Sequence, residues 1–123
     1  CEWQAAANGM VGLESALRVV HEAMVSTGLL DWAGVARVMS AAPARIGRLT
    51  GAGTPLEVGA PASLTLYDPS SARAFTMSDL RGSSVNSPYL GRELPGDVRW
   101  TLFRGAVTVA DGAVAESMTA VDA

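Results

Sequence analysis

Apolar positions in the first half of this chain recur with a helical period, and those in the second half alternate with the period of a strand. Leu13, Leu17, Val20 and Met24 fall at spacings of four, three and four, which marks one face of an α-helix, and Ala16 and Ala23 widen the stripe. Arg18, His21, Glu22 and Ser26 fall elsewhere. Gly28 is placed to stop this helix as its C′ residue. Asp31 reads as the N-cap of a second helix carrying Trp32, Val35, Val38 and Met39. That helix should end before Pro43, because the residue preceding a proline avoids the α region. Pro43 can then open a short third helix through Arg48, closed by Gly51-Ala52-Gly53.

In the second half Ala62, Leu64 and Leu66 alternate with Ser63, Thr65 and Tyr67, and Asp68-Pro69-Ser70 predicts a turn. Arg73–Thr76 reads as a short strand, and Val98, Trp100 and Leu102 alternate in a third. Val107–Val109 and Ala113–Ala115 flank Asp111-Gly112, a strong two-residue hairpin signal. Ser83–Pro95 keeps no period and reads as a long loop, and Ser117–Ala123 as a fraying tail. Within that loop, Asn86-Ser87-Pro88-Tyr89-Leu90-Gly91 reads as a turn that packs locally; a functional version would have Asn86 and Tyr89 buttress a neighbouring domain.

Helices followed by strands predict an α+β fold. The strand signals show no order that would close a sheet, and each helix and strand wants a partner layer. The glycine-punctuated run Gly9-Met-Val-Gly-Leu-Glu14 leads into the first helix with only eight residues before it. Its glycines suit a close approach or a positive φ, and loops ahead of a helix often touch ligands. A binding loop needs a scaffold on both sides, so the chain is expected to be a piece of a longer protein.

Hydrophobic residues make up 49% and charged residues 17%, a globular rather than a disordered composition. The net charge of −3 argues against nucleic acid or an anionic membrane surface as partner, and no apolar run reaches the length of a membrane span. All nine basic residues are arginine, which removes Schiff-base chemistry, a P-loop lysine and a carboxylated-lysine metal bridge from this segment. The single cysteine, Cys1, makes no internal disulfide, in keeping with a reducing, cytoplasmic setting.

Catalytic constellations are missing. The one histidine, His21, lies mid-helix and reads as a surface or partly packed residue, with only Glu14, Arg18 and Glu22 near it at helical spacing. Glu14 suits the first turn of a helix dipole. No serine sits in a Gly-x-Ser-x-Gly elbow, and Gly51-Ala-Gly-Thr54 lacks the spacing of a nucleotide fingerprint. No catalytic and no metal-ligating residue is assigned.

Taken in order, several stretches resemble the C-terminal part of the dihydroorotases, members of the amidohydrolase superfamily. They are Gly9–Glu14, Thr27-Gly-Leu-Leu30, Pro43-Ala-Arg-Ile46, Leu56-Glu-Val-Gly59, Ala62–Leu66, Asp68-Pro69, Asn86-Ser-Pro88, Gly91, Val98–Gly105 and Asp111-Gly112. The similarity runs from about Cys1 to Glu116, and the wording of Gly28–Met39 looks actinobacterial.

The resemblance implies a parent built as a (β/α)8 barrel with a zinc site at its mouth and a small β-sandwich made from both chain ends. Residues 1–50 would be the last barrel helices, 51–116 the C-terminal sandwich strands and 117–123 a tail. The implied reaction is the reversible cyclisation of N-carbamoyl-L-aspartate to L-dihydroorotate in pyrimidine biosynthesis. The family's zinc ligands and its general-base aspartate precede Cys1 in the family's order, so this piece alone is expected to be inactive. The loop ahead of the helix would give main-chain contacts to substrate at Ala7, Asn8 and Gly9, although Asn8 stands where relatives usually carry proline. Ser63 stands where many relatives carry aspartate. Homo-oligomers or association with aspartate transcarbamoylase would be the protein partners. An allantoinase- or hydantoinase-like cyclic amidase, or a catalytically dead homologue scaffolding aspartate transcarbamoylase, are the alternatives the resemblance leaves.

Overall fold

The computed structural model describes Glu2 and residues 9–120, the last five by backbone alone. The first helix, α1 (Ala16–Val20), continues through a π-helical turn at His21–Val25. Gly28, at φ +75°, ends it, and the Leu30 N–H closes back on the Met24 carbonyl at 2.9 Å. Asp31 caps α2 (Trp32–Ala36), its carboxylate accepting from the Gly34 N–H at 2.7 Å, as its sequence position predicts.

The helix does not stop before Pro43. A second π-helical turn, Arg37–Ala41, carries α2 directly into α3 (Ala42–Ile46), and Ala42 keeps α-helical torsions despite preceding the proline. The Ala42 N–H reaches back five residues to the Arg37 carbonyl. This wider turn sits just ahead of the ring and relieves its clash with the carbonyl four residues back.

Four strands form one antiparallel sheet in sequential order: β1 (Leu64–Ala74), β2 (Glu93–Phe103), β3 (Ala106–Ala110) and β4 (Ala113–Ala120). The strands therefore do have an order, that of a meander. The turn expected at Asp68-Pro69-Ser70 is a bulge inside a single long β1. Asp68 faces Asp97 and Ala72 faces Pro95, so β1 advances four residues while β2 advances two. Pro69, which has no N–H to give a ladder, sits in the slack. Arg73 and Ala74 end the same strand, so no separate strand begins there. β2 starts at Glu93, so the tail of the expected Ser83–Pro95 loop is sheet. Arg104-Gly105 and Asp111-Gly112 turn the two following hairpins with positive φ at both residues, the mirror-image turn whose twist matches the strands. Residues 117–120, expected to fray, extend β4, with Thr119 opposite Val107 and Ala120 opposite Ala106.

Packing reverses part of the helical reading. Among the described residues, the buried hydrophobic core is Val35, Ala44, Phe75 and Leu94. None of Leu13, Leu17, Val20 and Met24 is buried, and Leu13 is 92% exposed. The face of the first helix that meets the sheet is instead polar: Ser15, Arg18 and His21 are buried at spacings of three.

Candidate functional site

The glycine-punctuated run is held from outside by the stretch ahead of β2. The Val11 N–H donates to the Asn86 carbonyl at 3.0 Å, and the Asn86 side-chain amide donates to the Gly9 carbonyl. The Glu14 carboxylate accepts from the Arg81 N–H at 3.1 Å. Residues 81–86 thus clamp both ends of Gly9–Glu14, joining positions that lie 77 residues apart at Gly9 and Asn86. Gly9 is exposed, and neither Gly9 nor Gly12 has positive φ or an atom of the described residues where a Cβ would sit. Their freedom is not used by any contact with the described residues. Ala7 and Asn8, named with Gly9 as substrate contacts, lie outside the described residues.

Beneath α1 runs a buried polar seam. Arg18 sends its Nη2 to the carbonyls of Arg73 and Leu94, bridging the facing ends of β1 and β2. His21 Nδ1 lies 3.0 Å from the Tyr67 hydroxyl, which donates to the Pro95 carbonyl at 2.9 Å. The phenol has one proton and gives it to Pro95, so His21 must carry a proton on Nδ1 to complete the chain. Trp32 closes the cluster, its ring 5.0 Å from His21 and 5.3 Å from Tyr67. Burial pushes the Tyr67 phenol up to about 12. Burial, and then the neighbouring Arg73 charge, lower Arg18 from its ordinary value.

Beside the seam, Arg73 bridges Asp79 at 2.7 Å and Asp97 at 2.9 Å. Burial works against ionised Asp79, but hydrogen bonds from Arg73 and from the Thr76 N–H and hydroxyl outweigh it and hold the carboxyl at about 2. Arg92 meets Glu22 at 3.1 Å and anchors the π-helical turn to the start of β2.

Among the described residues no three His, Cys, Asp or Glu side chains converge as a metal site. His21 is occupied by Tyr67 and Trp32. The zinc that the resemblance implies does not fit this residue set. No described helix is long and apolar enough to cross a membrane.

No protein-family model matches the chain. Curated relatives do: it is 63% identical over 118 residues to the dihydroorotase of Leifsonia xyli subsp. xyli, across 96% of this chain and 27% of that protein. It is 56% identical over 112 residues to the dihydroorotase of Streptomyces coelicolor, across 91% of this chain and 26% of that protein. The chain is homologous to the dihydroorotases. It spans about a quarter of the length of the relatives it matches. Among solved structures it resembles the L-hydantoinase (dihydropyrimidinase) from Arthrobacter aurescens, with a TM-score of 0.79 and 31% identity over 92% of this chain and 25% of that one.

As a dihydroorotase homologue, the chain shows which site residues its sequence concealed. Arg18 and Tyr67 gave no signal, because an arginine off the apolar stripe and a tyrosine in an alternating strand both read as solvent-facing. Asn86 was visible as part of an Asn-Ser-Pro turn, but its grip on Gly9 depends on a contact no local pattern encodes.

Proposed function

We propose that this chain is the C-terminal part of a dihydroorotase, which reversibly cyclises N-carbamoyl-L-aspartate to L-dihydroorotate with release of water. The observation that carries this reading is identity of 56–63% to two dihydroorotases across nearly the whole chain. On this reading residues 1–50 close the barrel and 51–116 complete the small sandwich. On this reading the zinc would be held by the portion of the polypeptide outside this chain, where the resemblance places the family's ligands. The contribution of this chain is positional. The clamp from Asn86 and Arg81 holds Gly9–Glu14, the run that follows Ala7 and Asn8, whose main chain with that of Gly9 would meet substrate, and a prearranged run lowers the cost of ordering at binding.

Assay of the full-length protein with dihydroorotate, hydantoin and allantoin tests the proposal. Opening of dihydroorotate is the expected result. Turnover of hydantoin or allantoin alone would favour the cyclic-amidase reading, which the likeness to a hydantoinase structure supports. A full-length protein inactive on all three and free of zinc would be the scaffold homologue.

A further inference from the structure

Residues 75–92 leave the sheet after β1 and rejoin it ahead of β2. The two ends are tied together: the Phe75 N–H donates to the Arg92 carbonyl and the Gly91 N–H to the Phe75 carbonyl, both at 2.8 Å. Phe75, 1% exposed, roots this excursion in the core. Its far part, residues 81–86, is the stretch that clamps Gly9–Glu14. Between root and clamp lies a single 3-10 turn, Met77–Asp79, in which Thr76 and Asp79 each accept from the other's N–H. The Asp79 carboxylate also takes both Nη atoms of Arg73, at 2.9 and 2.7 Å. The same guanidinium holds Asp97 of β2 through Nε at 2.9 Å and Nη2 at 3.2 Å. Exposed ion pairs are usually weak, but a two-pronged fork on a carboxylate only 16% exposed fixes a direction as well as a distance. Leu80 alone separates Asp79 from Arg81, whose N–H meets Glu14.

We propose that Asp79 is a positioning residue for the reaction: joined to both strands through Arg73, it sets where the Arg81 N–H and Asn86 stand, and so where Gly9 faces substrate. The proposal deepens the reading above and rests on it, since it takes the Gly9 main chain to meet substrate. A loop tied only at its ends has many placements open to its far part, and each tie along its length removes some of them. The Arg73 fork is such a tie, placed one residue short of the clamp. Asparagine at position 79 isolates its share, because the amide oxygen can still accept from the Thr76 N–H while the charged fork is lost.

The test compares D79N, N86A and the double variant in the full-length protein, with D111N as control. D111N breaks the Arg99 pair of the same sheet, away from the clamp. KM and kcat are measured for whichever of dihydroorotate, hydantoin and allantoin the wild type opens. D79N should raise KM about threefold with a smaller change in kcat, and D111N should leave KM unmoved. The KM of the double variant should fall below the product of the two single effects, because both act through one clamp. Deuterium uptake by peptides covering residues 80–87 should quicken in D79N and not in D111N. Arg73→Lys, which keeps the charge and loses the fork, takes the place of D79N should that variant fail to fold. A lowered Tm with KM and uptake unchanged would overturn the proposal, since Asp79 would then only stabilise. So would full multiplication of the two KM effects, or a rise in KM in D111N equal to that in D79N. A wild type that opens none of the three amides, with uptake still quickened by D79N, would retire the functional reading and leave Asp79 as the tie that holds the clamp.

Discussion

Tyr67 makes several demands on its surroundings at once. Its hydroxyl takes up the space above Gly96, where an added Cβ would lie 1.8 Å from the phenol oxygen, and Gly96 has φ +73°. Gly96→Ala is expected to destabilise the full-length protein by about 2–4 kcal/mol, measured by denaturant unfolding. Tyr67→Phe leaves the His21 N–H and the Pro95 carbonyl without their shared partner, at about 1–3 kcal/mol. The same variant gives an optical signature. The folded phenol titrates near 12 against an ordinary 10.0, so the stability it contributes is complete below pH 10 and fades as pH rises toward 12. Ultraviolet titration of the full-length protein should show a late-ionising tyrosine step, and Tyr67→Phe should remove that step. Asp79 has the opposite sign. Its folded value of about 2 lies below the ordinary 3.8, so its contribution is complete above about pH 4 and is lost as pH falls toward 2. After allowing for the half-exposed Arg73, that contribution is about 1 kcal/mol, and Asp79→Asn should flatten this acid limb.

At the scale of elements, the clamp on Gly9–Glu14 is where the proposed function touches the described structure. Asn86→Ala removes the amide that holds the Gly9 carbonyl and should raise KM for dihydroorotate about fivefold, the equivalent of one hydrogen bond, with a smaller change in kcat. Asn86→Asp should be worse, since it turns an acceptor toward a carbonyl. Equal losses in kcat and kcat/KM with KM unchanged would speak against a positioning role. The elements themselves were unevenly legible. Asp31 and Asp111-Gly112 announce a cap and a turn through local chemistry, and both stand as read. Pro43 and Pro69 mislead for one reason: each is a rule about regular ladders, and the chain meets each with an irregular one, a π-helical turn and a bulge. The apolar stripe of the first helix was legible, but which face meets the sheet was not. That depends on acceptors contributed by Arg73, Leu94 and Tyr67, more than 45 residues away.

For the whole molecule, the surface area is informative. The chain exposes 8897 Å², whereas a compact monomer of 12.7 kDa should expose about 6,200 Å². The excess includes the large apolar side chains Leu13, Ile46, Leu56 and Val58, all more than three-quarters exposed. The 123 residues made alone should therefore aggregate or fold loosely, bind a hydrophobic dye and melt without cooperativity. A sharp, monomeric melting transition would count against this.

The seam under α1 carries one more consequence. Apolar contacts alone tolerate a helix rolling about its axis, because one aliphatic patch packs much like the next. Arg18 and His21 meet specific oxygens, so they act as a key that admits one angular setting of α1 and hence one direction for the run leading into it. Replacing His21 and Tyr67 together with apolar residues could leave the fold stable and still blur that angle. Such a protein would melt normally while aiming that run poorly.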